Sequence, residues 1–414
     1  MHLMFLEMKR VIKSRMTWIL LLIAIGLSVM ISYQVISEAQ YSYVDENGRQ
    51  ARITGIDAIH AYKEQMRPYE GAVTQAKLRN ALEVFQDICK EYGKGNEEKN
   101  IPLDVYYNKL VPNAHFLNMI SLVYPRSGDE YEALSKVNPD DTADFYQDRS
   151  EALKSYLEVK YPGDKNVLQQ VQRLNEKVRT PFVFKEGYTN DNSINLCILM
   201  FLLVLICAMI VSPIFSAEYQ NGSDDILRCT KNGHAKFAIV KLCSSLIIIF
   251  AMFALCMLIF VLTVNNAYGW DSMQSSAQMM SVFSFVPLTV GQEQWITILT
   301  GLLTLLAAAC CTLFFSAKCH NSTTALIIAI AFCILPAIIH SVWHGNIANF
   351  LTCVLPTGGA GISHNFFNQL NESTFIHIGS SDIWAPYLTI GAAIIEIPLF
   401  FILSIHAYCK HQSA

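Results

Sequence analysis

Charged residues are scarce in this sequence. Of its 414 residues, 15% are charged and 52% are hydrophobic. That balance is too apolar for an ordinary soluble protein and is typical of a membrane protein. The few charges are unevenly placed, because residues 37–193 hold 20 of the 30 Lys and Arg and 25 of the 34 Asp and Glu. The pattern predicts a soluble domain inserted into a membrane protein, and its balanced charge gives no basis for nucleic-acid binding.

Motifs for catalysis and for metal binding are also missing. No G-x-x-x-x-G-K-[ST] is present, since Gly93-Lys94-Gly95 lacks both the spacing and the hydroxyl. HExxH, GxSxG and zinc-spaced Cys/His sets are absent as well, and the spacing of His344, His364 and His377 fits no metal motif. We therefore predict that the chain is not an enzyme, hydrolyses no ATP by the P-loop route and holds no metal or cofactor of its own.

The spacing of the cysteines indicates no disulfide framework. There are 12 of them but no CxxC, and Cys310-Cys311 lies in an apolar run, where cysteine behaves as a small hydrophobe. Only Cys89 and Cys353 fall in segments predicted to face outward. Whether these two are bridged stays open at this stage.

What the chain has in abundance is long apolar runs. Six of them approach the ~20 residues that a bilayer requires: Met16–Ile36, Ile194–Phe215, Phe237–Val264, Trp295–Phe315, Thr324–Trp343 and Pro386–His406. The first is longer than the ~7–15 residues of a signal-peptide core, so we expect a retained span.

Basic residues set the orientation of these spans. Loops 265–294 and 344–385 contain no Lys or Arg, whereas the N-terminus, the 216–236 loop and the C-terminus do. The positive-inside rule then places both termini in the cytoplasm and residues 37–193 outside. We predict an all-α membrane protein with six spans and a mainly helical extracellular domain between spans 1 and 2.

Two segments next to the spans have amphipathic or unusual patterns. Residues 1–15 alternate apolar and basic positions at helical spacing, which predicts an interfacial helix, with a simple topogenic charge cluster as the alternative. Loop 344–385 is apolar and glycine-rich, which predicts a re-entrant segment in the outer leaflet, with an amphipathic surface loop as the alternative.

The outer domain shows helical periodicity. Apolar stripes predict one helix from about Gly55 to Tyr92, a second near Phe145–Leu157 and a third near Leu168–Val178. Thr180–Phe184 is predicted to be a short extended segment that leads back to the membrane.

The loop at 216–236 holds the most informative pattern. Pro213 ends the preceding span, and Phe215, Glu218 and Gly222 follow at fixed spacing. An amphipathic turn then contains Ile226, Leu227 and Arg228, and Gly233 and Lys236 lead into the next span. A polar loop with two exposed apolar residues fits docking to a soluble partner; an ordinary solvated loop is the alternative.

This pattern resembles the first cytoplasmic loop of permease subunits of bacterial type-2 ABC exporters. The resemblance implies that Glu218, Gly222, Ile226, Leu227, Arg228, Gly233 and Lys236 form a coupling helix that docks on a separate ATPase subunit, which would hold ATP and Mg²⁺. It also implies a second permease subunit, identical or related. The expected function is outward movement of an amphipathic substrate, such as a peptide, an antimicrobial or a lipid-like molecule, across the plasma membrane.

Glu396 and Pro336 are the candidates for the substrate pathway. A carboxylate in the middle of a span is costly unless it faces a cavity or a partner, and a proline kinks its helix. Two other functions stay open. One is a membrane sensor or immunity protein that binds an extracellular peptide without moving it. The other is an intramembrane lipid-modifying enzyme that uses Glu396 with His340 or His406.

Overall fold

The computed structural model describes residues 2–93, 101–125, 130–230, 233–362 and 364–411. Within these ranges, six helices are long and apolar enough to cross a membrane, which confirms the six predicted spans. They are α2 (Arg15–Ser37), α10 (Asn190–Val211) continued by α11 (Pro213–Asn221), α13 (Ala235–Tyr268), α14 (Val290–Lys318), α15 (Ser322–Val342) and α18 (Ala385–Lys410).

The chain divides into two compact units. The span unit comprises Met1–Tyr33, Asp191–Thr263 and Gln294–Ala414, and the inserted unit comprises Gln34–Asn190 and Val264–Glu293. The sequence predicted an outer domain from residues 37–193 alone. The structure adds the segment between α13 and α14 to it, because that segment packs onto the insertion rather than forming a free loop.

The inserted unit is mainly helical. The described residues form three short two-stranded sheets, and two of these lie in this unit. Its elements are β1 (Gln40–Val44), β2 (Gln50–Thr54), α3 (Ile56–Met66), β3 (Gly71–Ala72), α4 (Gln75–Tyr92), α5 (Leu103–Val105), α6 (Ala114–Val123), α7 (Glu130–Ser135), α8 (Phe145–Lys160), α9 (Lys165–Asn175) and β4 (Val183–Phe184). The predicted extended segment before the membrane is β4, which pairs with β3.

The single helix predicted from Gly55 to Tyr92 is wrong. Two helices, α3 and α4, occupy this stretch, because Pro68 lies in a 3₁₀ turn at Arg67–Tyr69 and Gly71 takes a positive φ of 99°. Proline has no N–H to continue an α-helix, and such a φ suits only glycine. Thr74 then caps α4 by accepting a hydrogen bond from the Lys77 N–H.

The β1–β2 hairpin was also missed. Its turn is closed by the Asp45 carboxylate, which accepts hydrogen bonds from the Asn47 and Arg49 N–H groups, and Gly48 adopts a φ of 72°. The alternating polar and apolar residues of both strands were the signal in the sequence.

A buried arginine joins the two chain segments of the inserted unit. Arg149 on α8 donates hydrogen bonds to the Val282 and Ser284 carbonyls, at 2.7 and 2.6 Å, and its guanidinium lies 5.1 Å from the Phe182 ring centroid. A buried guanidinium must have its N–H groups satisfied. Arg149 therefore fixes the 264–293 segment against the insertion.

The span unit contains the remaining elements: α1 (His2–Lys13), α12 (Ser223–Arg228), α16 (Asn346–Val354), α17 (Phe366–Asn371), β5 (Phe375–Ile378) and β6 (Ser381–Trp384). In this unit α10 and α14 are largely buried by other helices, whereas only a small share of α15 and of α18 is buried. Apolar helix faces left uncovered by one chain suit lipid or another membrane subunit.

The predicted re-entrant segment packs among the spans. The Thr357 hydroxyl donates to the Cys333 carbonyl at 2.9 Å. Cys333 lies nine residues before Val342, the end of α15, which corresponds to about 14 Å along the helix. A Cβ on Gly359 would lie 2.6 Å from the Thr304 hydroxyl and 3.1 Å from Thr389, so this backbone fits between α14 and α18. The packing favours the re-entrant interpretation over a surface loop.

Cys89 and Cys353 are both buried and belong to different units. The possible bridge between them is not formed.

Candidate functional site

The segment from Ser212 to Lys241 is called the docking segment here, after the function predicted for it from the sequence. Its described residues form a corner between two spans. Pro213 opens α11 at a position that needs no N–H donor. Gly222 ends α11 and begins α12 with a φ of 66°, in the left-handed region that glycine adopts without a Cβ penalty. Gly233 follows in close contact with α12, because a Cβ there would lie 2.0 Å from the Leu227 carbonyl oxygen. The two glycines make the corner tight.

Glu218 lies at the buried side of this corner. Its carboxylate contacts Arg10 from α1 and Lys241 from α13. Lys241 also donates a hydrogen bond to the Ile214 carbonyl at 3.0 Å, and Arg10 also pairs with Glu7 at 3.0 Å. The cluster therefore joins α1, α11 and α13.

Burial sets the electrostatics of this cluster. Glu218 is 6% exposed and Lys241 is 1% exposed, so each charge depends on the other. Burial also raises the pKa of Glu7, and Arg10 and Lys241 partly offset that rise. The structure buries the Lys241 ammonium against Glu218, whereas lysines near span ends commonly extend towards the interface.

Arg228 attaches α12 to the end of the last span. Its two terminal nitrogens donate to the carbonyls of Tyr408 and His411, each at 2.7 Å, and its guanidinium lies 4.6 Å from the Tyr408 ring centroid. Asp224 lies 3.4 Å from the Arg228 Nε. The last carbonyls of a helix have no partner within it, so a guanidinium is well suited to satisfy them.

Aromatic rings complete the contact with α18. The Tyr219 ring stacks on His411 with centroids 3.8 Å apart, and His320 lies 4.6 Å from His411. Partial burial, then His320 and Arg228, lower the pKa of His411. The Tyr408 hydroxyl donates to the Gly233 carbonyl at 3.2 Å. Tyr219 before α12, Arg228 at its end and Gly233 after it are thus all in contact with the end of α18 or with His411.

The seven predicted coupling residues separate into two groups. Ile226 is 75% exposed, and Gly222 and Lys236 are exposed too. The others point inward or are partly covered: Glu218, Leu227, Arg228 and Gly233. Of the two aspartates before Ile226, Asp224 is buried next to Arg228 and Asp225 is exposed.

Several residues of the corner were not predicted from the sequence. Arg10, Tyr408 and His411 lie roughly 180 to 210 positions from their partners in the docking segment. No local pattern indicates a contact over that separation.

The candidate pathway residues lie elsewhere. Glu396 is half-buried on α18, twelve residues before Tyr408 and about 18 Å along the helix from it. Pro336 is buried inside α15. The structure does not bring Glu396 to His406, because ten helical residues separate them by about 15 Å. This distance excludes the pair of Glu396 and His406, one of the two alternative catalytic pairs considered for a lipid-modifying enzyme.

The three outer histidines have separate surroundings. His364 is buried with its Nε2 3.2 Å from the Gln369 amide and 3.8 Å from the Cys353 thiol, and its ring stacks on His340 with centroids 4.7 Å apart. Burial, and then His340, lower the pKa of His364 to about 4. His377 instead pairs with Asp382 on the facing strand, and His344 is exposed.

Comparison with known protein families gives one match over nearly the whole chain. The model of the "ABC-2 family transporter protein" family matches residues 1–410. Curated proteins gave no match. The six spans and this match make the chain a multi-pass membrane component of an ABC transporter, a class that works with an ABC ATPase and is not itself catalytic. The chain belongs to the ABC-2 family of transporter proteins.

Proposed function

We propose that this chain is the permease of an exporter in the plasma membrane, and that its ATPase subunit docks on α12 with Ile226 as the apolar anchor. The observation that carries the proposal is the exposure of Ile226 on a short helix whose other side is fixed to the protein. An isoleucine that is 75% exposed packs little against its own chain. Burial of such a side chain in a partner's groove contributes about 1.5–3 kcal/mol.

Charges around Ile226 suit a groove rather than lipid. Asp225 and Lys236 are both exposed in the docking segment. Insertion of Ile226 into the bilayer would bring Asp225 out of water, whereas a protein groove can leave both charges at its rim.

The remaining parts of the proposal concern partners and substrate. A second permease subunit would cover part of the exposed apolar faces of α15 and α18. The inserted unit faces outward, and Glu396 and Pro336 line the path of an amphipathic substrate. ATP and Mg²⁺ belong to the ATPase, as P-loop chemistry requires a motif that this sequence lacks.

The test is purification of the tagged chain from native membranes in mild detergent, with the bound proteins and their stoichiometry determined. We expect one ABC ATPase per permease chain. Ile226→Asp should reduce ATPase recovery at least about tenfold. The matched controls are Ile226→Leu, which keeps the apolar surface, and Val159→Asp, which places the same charge at an exposed position of the inserted unit.

Two results would contradict the proposal. Recovery of the ATPase by Ile226→Asp at the wild-type level would exclude α12 as the docking element. Absence of any ABC ATPase from the wild-type preparation would favour a sensor that binds an extracellular peptide without transport.

A further inference from the structure

The end of the last span contacts the docking segment through several side chains. The last turn of α18 and the residue after it accept two hydrogen bonds from Arg228, donate one to Gly233 and stack against Tyr219. Tyr408, which takes part in both kinds of hydrogen bond, is fully buried. These contacts connect two parts of the chain about 180 residues apart.

α12 has little structure of its own without these contacts. It contains six residues, Ser223–Arg228, and isolated helices shorter than about 12 residues are marginal in water. Gly222 and Gly233 flank it, and glycine is the residue that least restricts the backbone. The direction in which α12 points must therefore be set by what its side chains bind.

Arg228 is suited to set that direction. Its planar guanidinium donates two hydrogen bonds from fixed positions, to two carbonyls that are themselves fixed by the helix end. The Tyr408 ring beneath it adds a cation–π contact at 4.6 Å. A lysine could supply the charge but not the paired geometry.

We propose that the cytoplasmic end of α18 is a positioning element of the ATPase-docking site. Through Arg228 and Gly233, Tyr408 fixes the direction in which Ile226 is presented. This inference rests on the proposed docking function. It adds the last span, which carries Glu396, to the elements that respond when the ATPase moves α12.

A direct consequence concerns motion. α12 is joined directly in the chain to α11 and, through Gly233, to α13. A displacement of α12 would therefore move those two spans through the backbone alone. The contacts with Tyr408 and His411 add α18, which has no covalent link to the docking segment. When the ATPase displaces α12, α18 moves with it or its contacts with Arg228 break.

The test measures ATPase binding and turnover for two conservative variants. Tyr408→Phe keeps the ring and removes the hydroxyl that donates to Gly233. Arg228→Lys keeps the charge and removes the paired hydrogen bonds. With purified permease in lipid nanodiscs and its purified ATPase, we expect Tyr408→Phe to weaken binding about two- to tenfold and Arg228→Lys by at least as much. Turnover at saturating permease should fall as well, which a simple loss of affinity would not cause.

Non-additivity separates positioning from a general structural effect. If Tyr408 acts by presenting Ile226, then Tyr408→Phe should change binding little in an Ile226→Asp background. If the two residues contributed independently, the loss of binding free energy in the double variant would equal the sum of the losses in the two single variants. Tyr387→Phe is the matched control, because Tyr387 lies at the other end of the same helix and is exposed; it should behave as wild type. Gel filtration and thermal unfolding of each variant verify the fold.

Failure of the inference and failure of the docking function give different results. If Ile226→Asp leaves binding unchanged, the docking function is wrong. If Ile226→Asp weakens binding while Tyr408→Phe and Arg228→Lys keep wild-type affinity and turnover, docking stands and the positioning role of α18 is wrong. Full additivity of Tyr408→Phe and Ile226→Asp would also overturn that role.

Discussion

Glu218 is a predicted coupling residue whose carboxylate is buried inside its own chain. The spacing from Phe215 to Glu218 to Gly222 indicated a coupling residue, and in the structure the carboxylate is buried between two cations. A group in this position acts on a partner only by holding α1, α11 and α13 in place. We therefore expect its substitution to affect the fold first.

The buried pair of Glu218 and Lys241 gives a test of that view. Loss of the Glu218 charge leaves the buried Lys241 ammonium without its carboxylate, and loss of Lys241 leaves Glu218 with Arg10 alone; breaking a buried pair typically costs about 3–5 kcal/mol. Glu218→Gln and Lys241→Met should each lower the thermal midpoint in detergent by several degrees. The double variant should recover part of the loss, because neither charge then remains. Equal or greater loss in the double variant would show that the two residues do not depend on each other.

Glu186 supplies a pH-dependent property of the inserted unit. It is buried, and burial raises its pKa from 4.5 to about 7, with Glu70 adding to the rise and Lys63 opposing it. His115 lies 3.7 Å from its carboxylate. The folded state then binds a proton that the unfolded state has released between these two values.

We therefore expect the inserted unit to lose stability as pH rises from 5 to 8. The contribution of Glu186 is present below pH 4.5 and is lost progressively up to about pH 7, on the order of 3 kcal/mol. Thermal unfolding of the full chain between pH 5 and pH 8 measures this, with Glu186→Gln as the comparison. The Gln variant should show a smaller fall over that range; an identical fall would assign the pH dependence to other groups.

At the scale of elements, the spans were predictable and the corner between them was not. Six apolar runs near 20 residues long define spans through composition alone, so their number is confirmed even where their ends shift. The α3–α4 break depends on Pro68 and Gly71, which a search for apolar stripes passes over. The hydrogen bonds from Arg228 to the carbonyls of Tyr408 and His411 depend on tertiary packing, which sequence spacing does not encode.

The two glycines of the docking segment differ in why they are required. Gly222 needs only its positive φ, because a Cβ there would meet nothing within 4 Å. Gly233 has no room, because a Cβ would lie 2.0 Å from the Leu227 carbonyl and 2.8 Å from the Arg228 Cα. Both atoms are backbone and cannot move aside cheaply.

We expect Gly233→Ala to reduce ATPase recovery more than Gly222→Ala. Left-handed backbone costs alanine about 1–2 kcal/mol, whereas the clash at Gly233 must displace α12 itself. Pull-down of the ATPase with each variant measures the difference, and the yield of folded permease serves as the control. A larger effect at Gly222 would mean that the contact between Gly233 and α12 is not required for docking.

At the scale of the whole molecule, the inserted unit is made from two separate parts of the chain. Residues 34–190 and 264–293 both contribute, and Arg149 is the buried link between them. Sequence reasoning found the first part from its charge and missed the second, because residues 265–294 contain no Lys or Arg and their position depends on packing. Both parts must lie on the same side of the membrane. A label on a residue of either part therefore reports the orientation of the chain in the membrane.

The native cysteines allow that orientation to be tested with little alteration of the chain. Of the 12 cysteines, only Cys229 and Cys409 are exposed, one just after α12 and the other in the last turn of α18. Both lie on the side that the positive-inside rule assigns to the cytoplasm.

Wild-type protein in intact cells should therefore resist a membrane-impermeant maleimide and react after permeabilisation. Val159→Cys places a thiol at an 82% exposed position of the inserted unit, and this variant should react in intact cells. The variant Cys229→Ser with Cys409→Ser removes the background signal and should abolish most labelling after permeabilisation. Labelling of wild-type protein in intact cells, or protection of Val159→Cys there, would reverse the orientation and place α12 on the side opposite to any ATPase.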